Sequence, residues 1–236
     1  GGGAVRIDVL TLFPELFPGP LGTSVVGRAS ERGIAQVAAT NIRDFAQDAR
    51  GTVDDKPYGG GPGMLMMAEP VVSAIESVKR AGSLVILTSP RGRVFDQALA
   101  REFATRDHLI IVTGHYEGVD ERAIRLAVDM EISLGDFVLS SGVLAAMAIS
   151  DAVIRLLPGV LGDDESSVDE SHSGNLLEYP QYTRPTEFRG IRVPEVLLSG
   201  DHGRIAEFRQ CERERLTRER RPDMWEKFMS QTEKEV

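Results

Sequence analysis

The amino-acid sequence predicts an α/β protein, a mostly parallel sheet carrying helices, followed by a small all-α C-terminal domain. Three observations carry this expectation. In the first two-thirds of the 236 residues, short aliphatic runs alternate with segments of helical spacing, the pattern of strands joined by crossover helices. Two of those runs are apolar at nearly every position, as strands covered on both faces must be. Beyond residue 192 the strand-like runs stop and helical periodicity with charged faces takes over.

In chain order, VRIDVLTLF (Val5–Phe13), SLVILTS (Ser83–Ser89), HLIIVTG (His108–Gly114) and MEISL (Met130–Leu134) read as strands, the middle two as the doubly covered ones. Between them EPVVSAIESVKRAG and GVDERAIRLAV have helical spacing, the first with Gly82 as its expected C-cap. A long helix is expected over Gly142–Leu157, stopped by Pro158-Gly159. Residues 162–174 are acidic, serine-rich and aperiodic, so they read as a flexible linker between domains spanning 1–161 and 175–236. The tail, Arg192 to Lys234, reads as helical throughout, with a core of Ile205, Phe208, Leu216, Trp225 and Phe228.

Composition limits the function classes. A hydrophobic content of 42% with 27% charged residues is that of an ordinary globular protein. No apolar run reaches membrane-span length and no signal-peptide pattern opens the chain, so the expected setting is cytoplasmic, away from membranes. The single cysteine, Cys211, excludes a disulfide framework within the chain. A net charge of −9 argues against a nucleic-acid partner only weakly, because binding depends on local patches. Arginines do cluster, at Arg204, Arg209, Arg213, Arg215, Arg218, Arg220 and Arg221, although interleaved glutamates would equally make a solvated helix face.

The usual catalytic motifs are missing. The four histidines fall outside zinc spacings, no G-x-S-x-G elbow is present, and Cys211 has no histidine at a local motif distance. PYGGGPGM (Pro57–Met64) is rich enough in glycine to bring bare backbone close to a ligand, yet it has neither the Lys-Ser/Thr of a P-loop nor the dinucleotide fingerprint. What remains are three strand-end segments, TSPRG (Thr88–Gly92), TGHYEGVDER (Thr113–Arg122) and ISLGDFVLSSG (Ile132–Gly142). In open α/β sheets, ligands bind at the carboxyl ends of strands.

Taken in this order, those segments closely resemble the bacterial tRNA (guanine-N1)-methyltransferase family, one of the trefoil-knotted methyltransferases. LTLFPE, TVDDKPYGGGPGM, DAVIRLLPGVLG, LLEYPQYTRP, VPEVLLSGDH and RERRPDMWEKF extend the resemblance over nearly the whole chain. It implies a C-terminal trefoil knot in the sheet domain, S-adenosyl-L-methionine as cofactor, and methylation of N1 of the guanosine 3′ of a tRNA anticodon. It also implies a homodimer with active sites at the subunit interface, and a C-terminal domain that binds tRNA; it leaves Mg2+ open as a further requirement. The family's cofactor pocket carries over to Thr88, Ser89, Pro90, Gly114, Glu117, Gly118, Leu134, Gly135, Leu139 and Gly142, with Tyr116, Asp136, Phe137 and Val138 in the same loops. Tyr58, Gly59, Gly60 and Gly61 are then expected beside the target guanosine.

Guanine N1 is protonated at neutral pH, so a carboxylate base and a cation facing O6 are required. Arg155 matches the family's catalytic arginine. For the base, family members show an acidic pair with aspartate second, whereas this chain has the order Asp169-Glu170; ungapped register puts Glu170 at the base position, and chemical identity favours Asp169. Ser141-Gly142-Val143 also replaces the family's Gly-Gly-Glu, and Ala145 a proline. Two other readings stay open on sequence: a knotted methyltransferase acting at another RNA position, and a non-catalytic RNA-binding protein with a degenerate pocket.

Overall fold

A computed structural model describes residues 4–161, 171–172 and 174–232. The chain divides into two compact units, Gly1–Gly162 and Asp163–Val236.

The first unit is built on a five-stranded sheet, ordered β2-β1-β6-β5-β7. Its strands are β1 (Val5–Thr11), β2 (Ala35–Asn41), β5 (Leu84–Val94), β6 (His108–Thr113) and β7 (Met130–Ser133), and every neighbouring pair runs parallel. The helices are α1 (Ser24–Glu31), α2 (Ala68–Val78), α3 (Gln97–Ala104), α4 (Glu121–Ala127) and α5 (Val143–Ile154). A two-stranded antiparallel ribbon, β3 (Asp54–Asp55) with β4 (Leu65–Met66), stands apart from the sheet and carries the glycine-rich segment as its loop.

The alternation of strand side chains divides the core into two layers. Ile86, Leu109 and Ile111 point to the face covered by α1, α3 and α5, where Phe103 and Ile149 are fully buried. Val85, Leu87, Ile110 and Val112 point to the opposite face, under α2 and α4, with Val71, Ala74 and Ile75. β6 is buried at all six positions. α5 is apolar almost all round, as a helix pressed into the core must be, and its one buried hydroxyl, Ser150 Oγ, donates to the Ala146 carbonyl at 2.7 Å.

Toward the amino ends of the strands lies a buried polar network. Asp8 accepts from Arg6 at 2.7 and 2.8 Å and pairs with His108 Nε2 at 2.8 Å, while His108 Nδ1 meets Ser83 Oγ at 2.6 Å. Burial alone pushes the Asp8 carboxyl up, but the hydrogen bonds and charges of Arg6 and His108 outweigh it and hold the group below the usual carboxylate range.

Several sequence expectations are corrected here. β2 was not foreseen, because AQVAATN is small and polar, with little of the β-branched bulk that marks a covered strand. β5 runs past Ser89 to Val94: residues 89–92 leave the ladder, and both Thr88 and Arg93 align with Ile132. Gly82 is not the cap of α2, which ends at Val78; it sits at φ +83° in the turn that returns the chain to β5. α5 ends at Ile154, before Pro158. Most of the expected linker, residues 162–170 and 173, lies outside the described residues.

The second unit contains α6 (Glu195–Leu198), α7 (His202–Arg220) and α8 (Pro222–Thr232). It is not all helical, and the tail is not helical from Arg192 onward. Glu187–Phe188 (β8) pairs antiparallel with Ile191–Arg192 (β9) across Arg189 and Gly190, both at positive φ, as a tight hairpin turn requires. Leu216 of the expected core is buried, joined by Leu176 and Met224, while Ile205, Phe208, Trp225 and Phe228 are half-buried. Leu177 N–H donates to Thr217 Oγ1 at 2.8 Å, tying the incoming segment to α7.

Candidate active site

Thr88 of β5, after which residues 89–92 leave the ladder, is level with Thr113 at the end of β6 and with Ile132 near the end of β7. The loops that leave these strands enclose a cleft of about 480 Å³. From β5 it is lined by Thr88, Ser89 and Pro90; from β6 by Gly114, Tyr116, Glu117 and Gly118; and from the loop after β7 by Leu134, Phe137, Val138, Leu139 and Gly142. Gly135 and Asp136 belong to the same loop without lining the cleft.

Backbone contacts draw these loops together. Gly142 N–H donates to the Gly114 carbonyl at 2.8 Å, and Gly114 N–H to Thr88 Oγ1 at 3.3 Å. A Cβ on Gly142 would lie 1.9 Å from Thr88 Oγ1 and 2.8 Å from Gly114 N, so only glycine permits the approach. Gly135 holds φ +152° with the Phe137 ring 3.0 Å from where its Cβ would be. Ser133 Oγ closes that turn, donating to the Gly135 carbonyl at 2.9 Å. Tyr116 sits at φ +55°, a conformation uncommon outside glycine and concentrated at functional sites.

The walls combine aliphatic side chains and exposed strand-end backbone with three carboxylates, Glu117, Glu121 and Glu131. Arg91 bridges two of them, at 3.2 Å from Glu131 and 3.3 Å from Glu121, and the charge of Glu131 foremost strengthens its hold on its proton. Hydrogen bonds from Arg125 and then Arg91 keep Glu121 below the usual carboxylate range. His115 also lines the cleft, its ring set edge-on between Phe13 and Tyr116 at 5.1 and 4.6 Å. Its Nδ1 is buried with no protein partner among the described residues. Aliphatic lining side chains together with three carboxylates against one arginine suit a ligand that is partly apolar and carries positive charge.

Tyr58, Gly59, Gly60 and Gly61 are not among the lining residues. They form the exposed tip of the β3–β4 ribbon, with Tyr58 99% exposed, and a Cβ on any of these glycines would meet nothing within 4 Å. Their φ values of +85°, +78° and +122° are what demand glycine. The base of the ribbon is bonded to the cleft's middle loop: Glu117 N–H donates to the Met64 carbonyl at 3.0 Å and Met66 N–H to the Gly118 carbonyl at 2.9 Å. Gly63 packs so closely there that its Cβ would lie 2.4 Å from Glu117 Cγ.

Arg155 is placed elsewhere. It is the C-cap of α5, whereas the cleft adjoins that helix's first turn at Gly142 and Ala145. At 1.5 Å per residue the two ends are about 20 Å apart. Asp169 and Glu170 lie outside the described residues. Sequence reasoning missed Leu65, Arg91, His115, Glu121, Glu131 and Ser141 as cleft residues; several stand inside the strand-end motifs, whose order was the available signal. Among the described residues no group of three or more His, Cys, Asp or Glu could hold a metal ion, and no helix is long and apolar enough to cross a membrane.

Fold and cleft together define a parallel α/β protein with a cleft at its strand ends. Comparison with known proteins is more specific. The model of the family described as tRNA (Guanine-1)-methyltransferase TrmD matches residues 5–227. The tRNA (guanine-N(1)-)-methyltransferase of Carboxydothermus hydrogenoformans is 56% identical over 201 residues, covering 85% of this chain and 79% of that protein. Those of Geobacter sulfurreducens and Anaeromyxobacter dehalogenans are 55% and 56% identical over 225 residues, each covering 94% of this chain and 92% and 91% of the relative. The chain belongs to the tRNA (guanine-1)-methyltransferase family.

Proposed function

We propose that this protein methylates N1 of the guanosine 3′ of a tRNA anticodon, using S-adenosylmethionine. The observation that carries the reading is the strand-end cleft, closed by three small-residue loops, in a chain that matches the family over residues 5–227. When bound, the cofactor supplies a methyl group activated by its sulfonium charge. The backbone of the three loops would hold the adenine, and Glu117, Glu121 and Glu131 would favour the cationic portion.

The same reading assigns the knot to the chain between β7 and α5. Its support is the close seating of Gly142 between Thr88 and Gly114, which brings that chain back across the ends of β5 and β6. Arg155 would stabilise negative charge building on guanine O6 while Glu170 or Asp169 takes the N1 proton. Because Arg155 and the cleft lie at opposite ends of α5, a complete site needs Arg155 from a second copy of the chain. Exposed apolar side chains around the cleft, Val138 at 82% and Phe137 at 55% among them, support such a homodimer. The second unit would bind tRNA, the glycine ribbon would approach the target nucleotide, and the setting would be the cytoplasm, where tRNA is modified.

The test is methyl transfer from labelled S-adenosylmethionine to a tRNA transcript with guanosine 3′ of the anticodon and to the same transcript with adenosine there. Label should enter the first alone, at N1. Equal labelling of both would refute the site, and no labelling of either would refute the reaction.

A further inference from the structure

Within the second unit a groove of about 380 Å³ runs between the extended segment 179–186, α6 and the first turns of α7. Its lining includes Tyr179, Tyr182, Arg184, Leu198 and Arg209, and it contains no carboxylate. That is a marked local departure in a chain of net charge −9. The Arg209 guanidinium lies over the Tyr179 ring, 4.7 Å from its centroid. Arg215 of α7 is neutralised by Glu212 and Glu219, but among the described residues neither Arg184 nor Arg209 pairs with a carboxylate. Tyr182, in the same lining, is 47% exposed. Arg189 over Phe188 and Arg218 over Trp225 repeat the arginine–aromatic pairing in the same unit, and among the described residues no such pair occurs in the first.

A half-exposed ring that shares a groove with unneutralised guanidinium groups is the chemistry that receives an unpaired nucleobase and its phosphate; stacking is insensitive to which base is present, and guanidinium forks bind phosphate. We infer that this groove is a nucleotide-binding subsite for single-stranded RNA, with one unstacked base resting on Tyr182 and the adjoining phosphate held by Arg184 and Arg209. Double-stranded RNA cannot use it, because its bases are not free to stack on a side chain. The inference rests on the proposal that the substrate is tRNA: the subsite would take an unpaired nucleotide of that RNA other than the one methylated.

The test measures equilibrium binding of a fluorescent anticodon stem-loop RNA, and of a blunt-ended, fully paired RNA duplex, to the full-length protein and to its Tyr182→Ala, Tyr182→Trp and Arg184→Gln variants. Loss of a stacked base lowers affinity by about tenfold or more. Tyr182→Ala should therefore bind the stem-loop about tenfold more weakly and the paired duplex unchanged, and Tyr182→Trp should restore binding. Arg184→Gln should weaken the stem-loop by several-fold. S-adenosylmethionine affinity should not move in any of them. Wild-type stem-loop affinity in Tyr182→Ala, or equal losses on both RNAs, overturns the inference. So does a shift in oligomeric state caused by Tyr182→Ala, which would mean that the groove seats a second copy of the chain. If the wild-type protein binds neither RNA, the proposed function fails first, and that result is distinguishable from failure of the subsite.

Discussion

Gly142→Ala tests the cleft most directly, because the damage can be worked out from distances. The added Cβ would sit 1.9 Å from Thr88 Oγ1, where ordinary contact begins near 3.4 Å, an overlap of about 1.5 Å. Thr88 is 4% exposed, and turning its hydroxyl away abandons contacts to the Val112 carbonyl and Gly114 N–H, both at 3.3 Å. Even then the methyl group stands 2.8 Å from Gly114 N, so the Gly142–Gly114 backbone bond must stretch as well. Overpacking costs about 1–3 kcal/mol and each of the three weakened hydrogen bonds about 1 more, roughly 4–6 kcal/mol in all. The loops can relieve this by opening, so most of the cost should fall on ligand affinity. At about 1.4 kcal/mol per tenfold, S-adenosylmethionine should bind roughly a thousandfold to ten-thousandfold more weakly by titration calorimetry. Gly60→Ala is the matched control. Its φ of +78° makes alanine strained, yet no atom lies within 4 Å of the new Cβ, so cofactor affinity should be unchanged. Wild-type affinity in Gly142→Ala, or equal losses in both variants, would refute the account of how the loops close.

Three further outcomes follow from the same structure. Arg155→Ala should lower turnover by about two to three powers of ten with little change in S-adenosylmethionine affinity, and mixing it with Gly142→Ala should regain activity through mixed dimers; no recovery on mixing would count against a shared site. Single-turnover rates of Glu170→Gln and Asp169→Asn decide the base: we expect the loss, about two to four powers of ten, in the former, and a loss confined to the latter reverses the assignment. Asp8→Asn should destabilise the protein by about 3 kcal/mol at pH 7 in urea unfolding, since it removes one member of a buried, hydrogen-bonded group. Because the folded carboxyl lies below its ordinary value of 3.8, its contribution is full above that pH and is lost as the pH falls through the folded value. A gap between wild type and variant that persists unchanged well below pH 3.8 would contradict the network described.

Legibility differed by element for physical reasons. β5 and β6 were plain in the sequence because burial on both faces demands continuous apolar runs, and α5 because a helix sunk in the core is apolar all round. β2 is an edge strand of small and polar residues, so its place was set by backbone bonding to β1 rather than by side chains. The β8–β9 hairpin was hidden for a similar reason: two residues per strand are too few to show a period, and only the Arg-Gly turn marks it. About half of the cleft residues were legible, because the three strand-end segments, in their order, resemble the family's pocket. Arg91, Glu121 and Glu131 were not, since each reads as an ordinary surface charge until the sheet order sets them beside one another.

By itself, then, the sequence determined the α/β class, the parallel arrangement, and the three segments that line the cleft, all consequences of short-range rules: which residues tolerate burial, a period, or a positive φ. Which strand ends become neighbours is a long-range matter. Only the tertiary structure joined β5 to both β6 and β7, seated Gly142 against Thr88 across 54 positions of chain, and put Arg155 at the far end of α5 from the cleft. Those relations depend on how strands pair and how the two core layers pack, and no local stretch of residues contains that information.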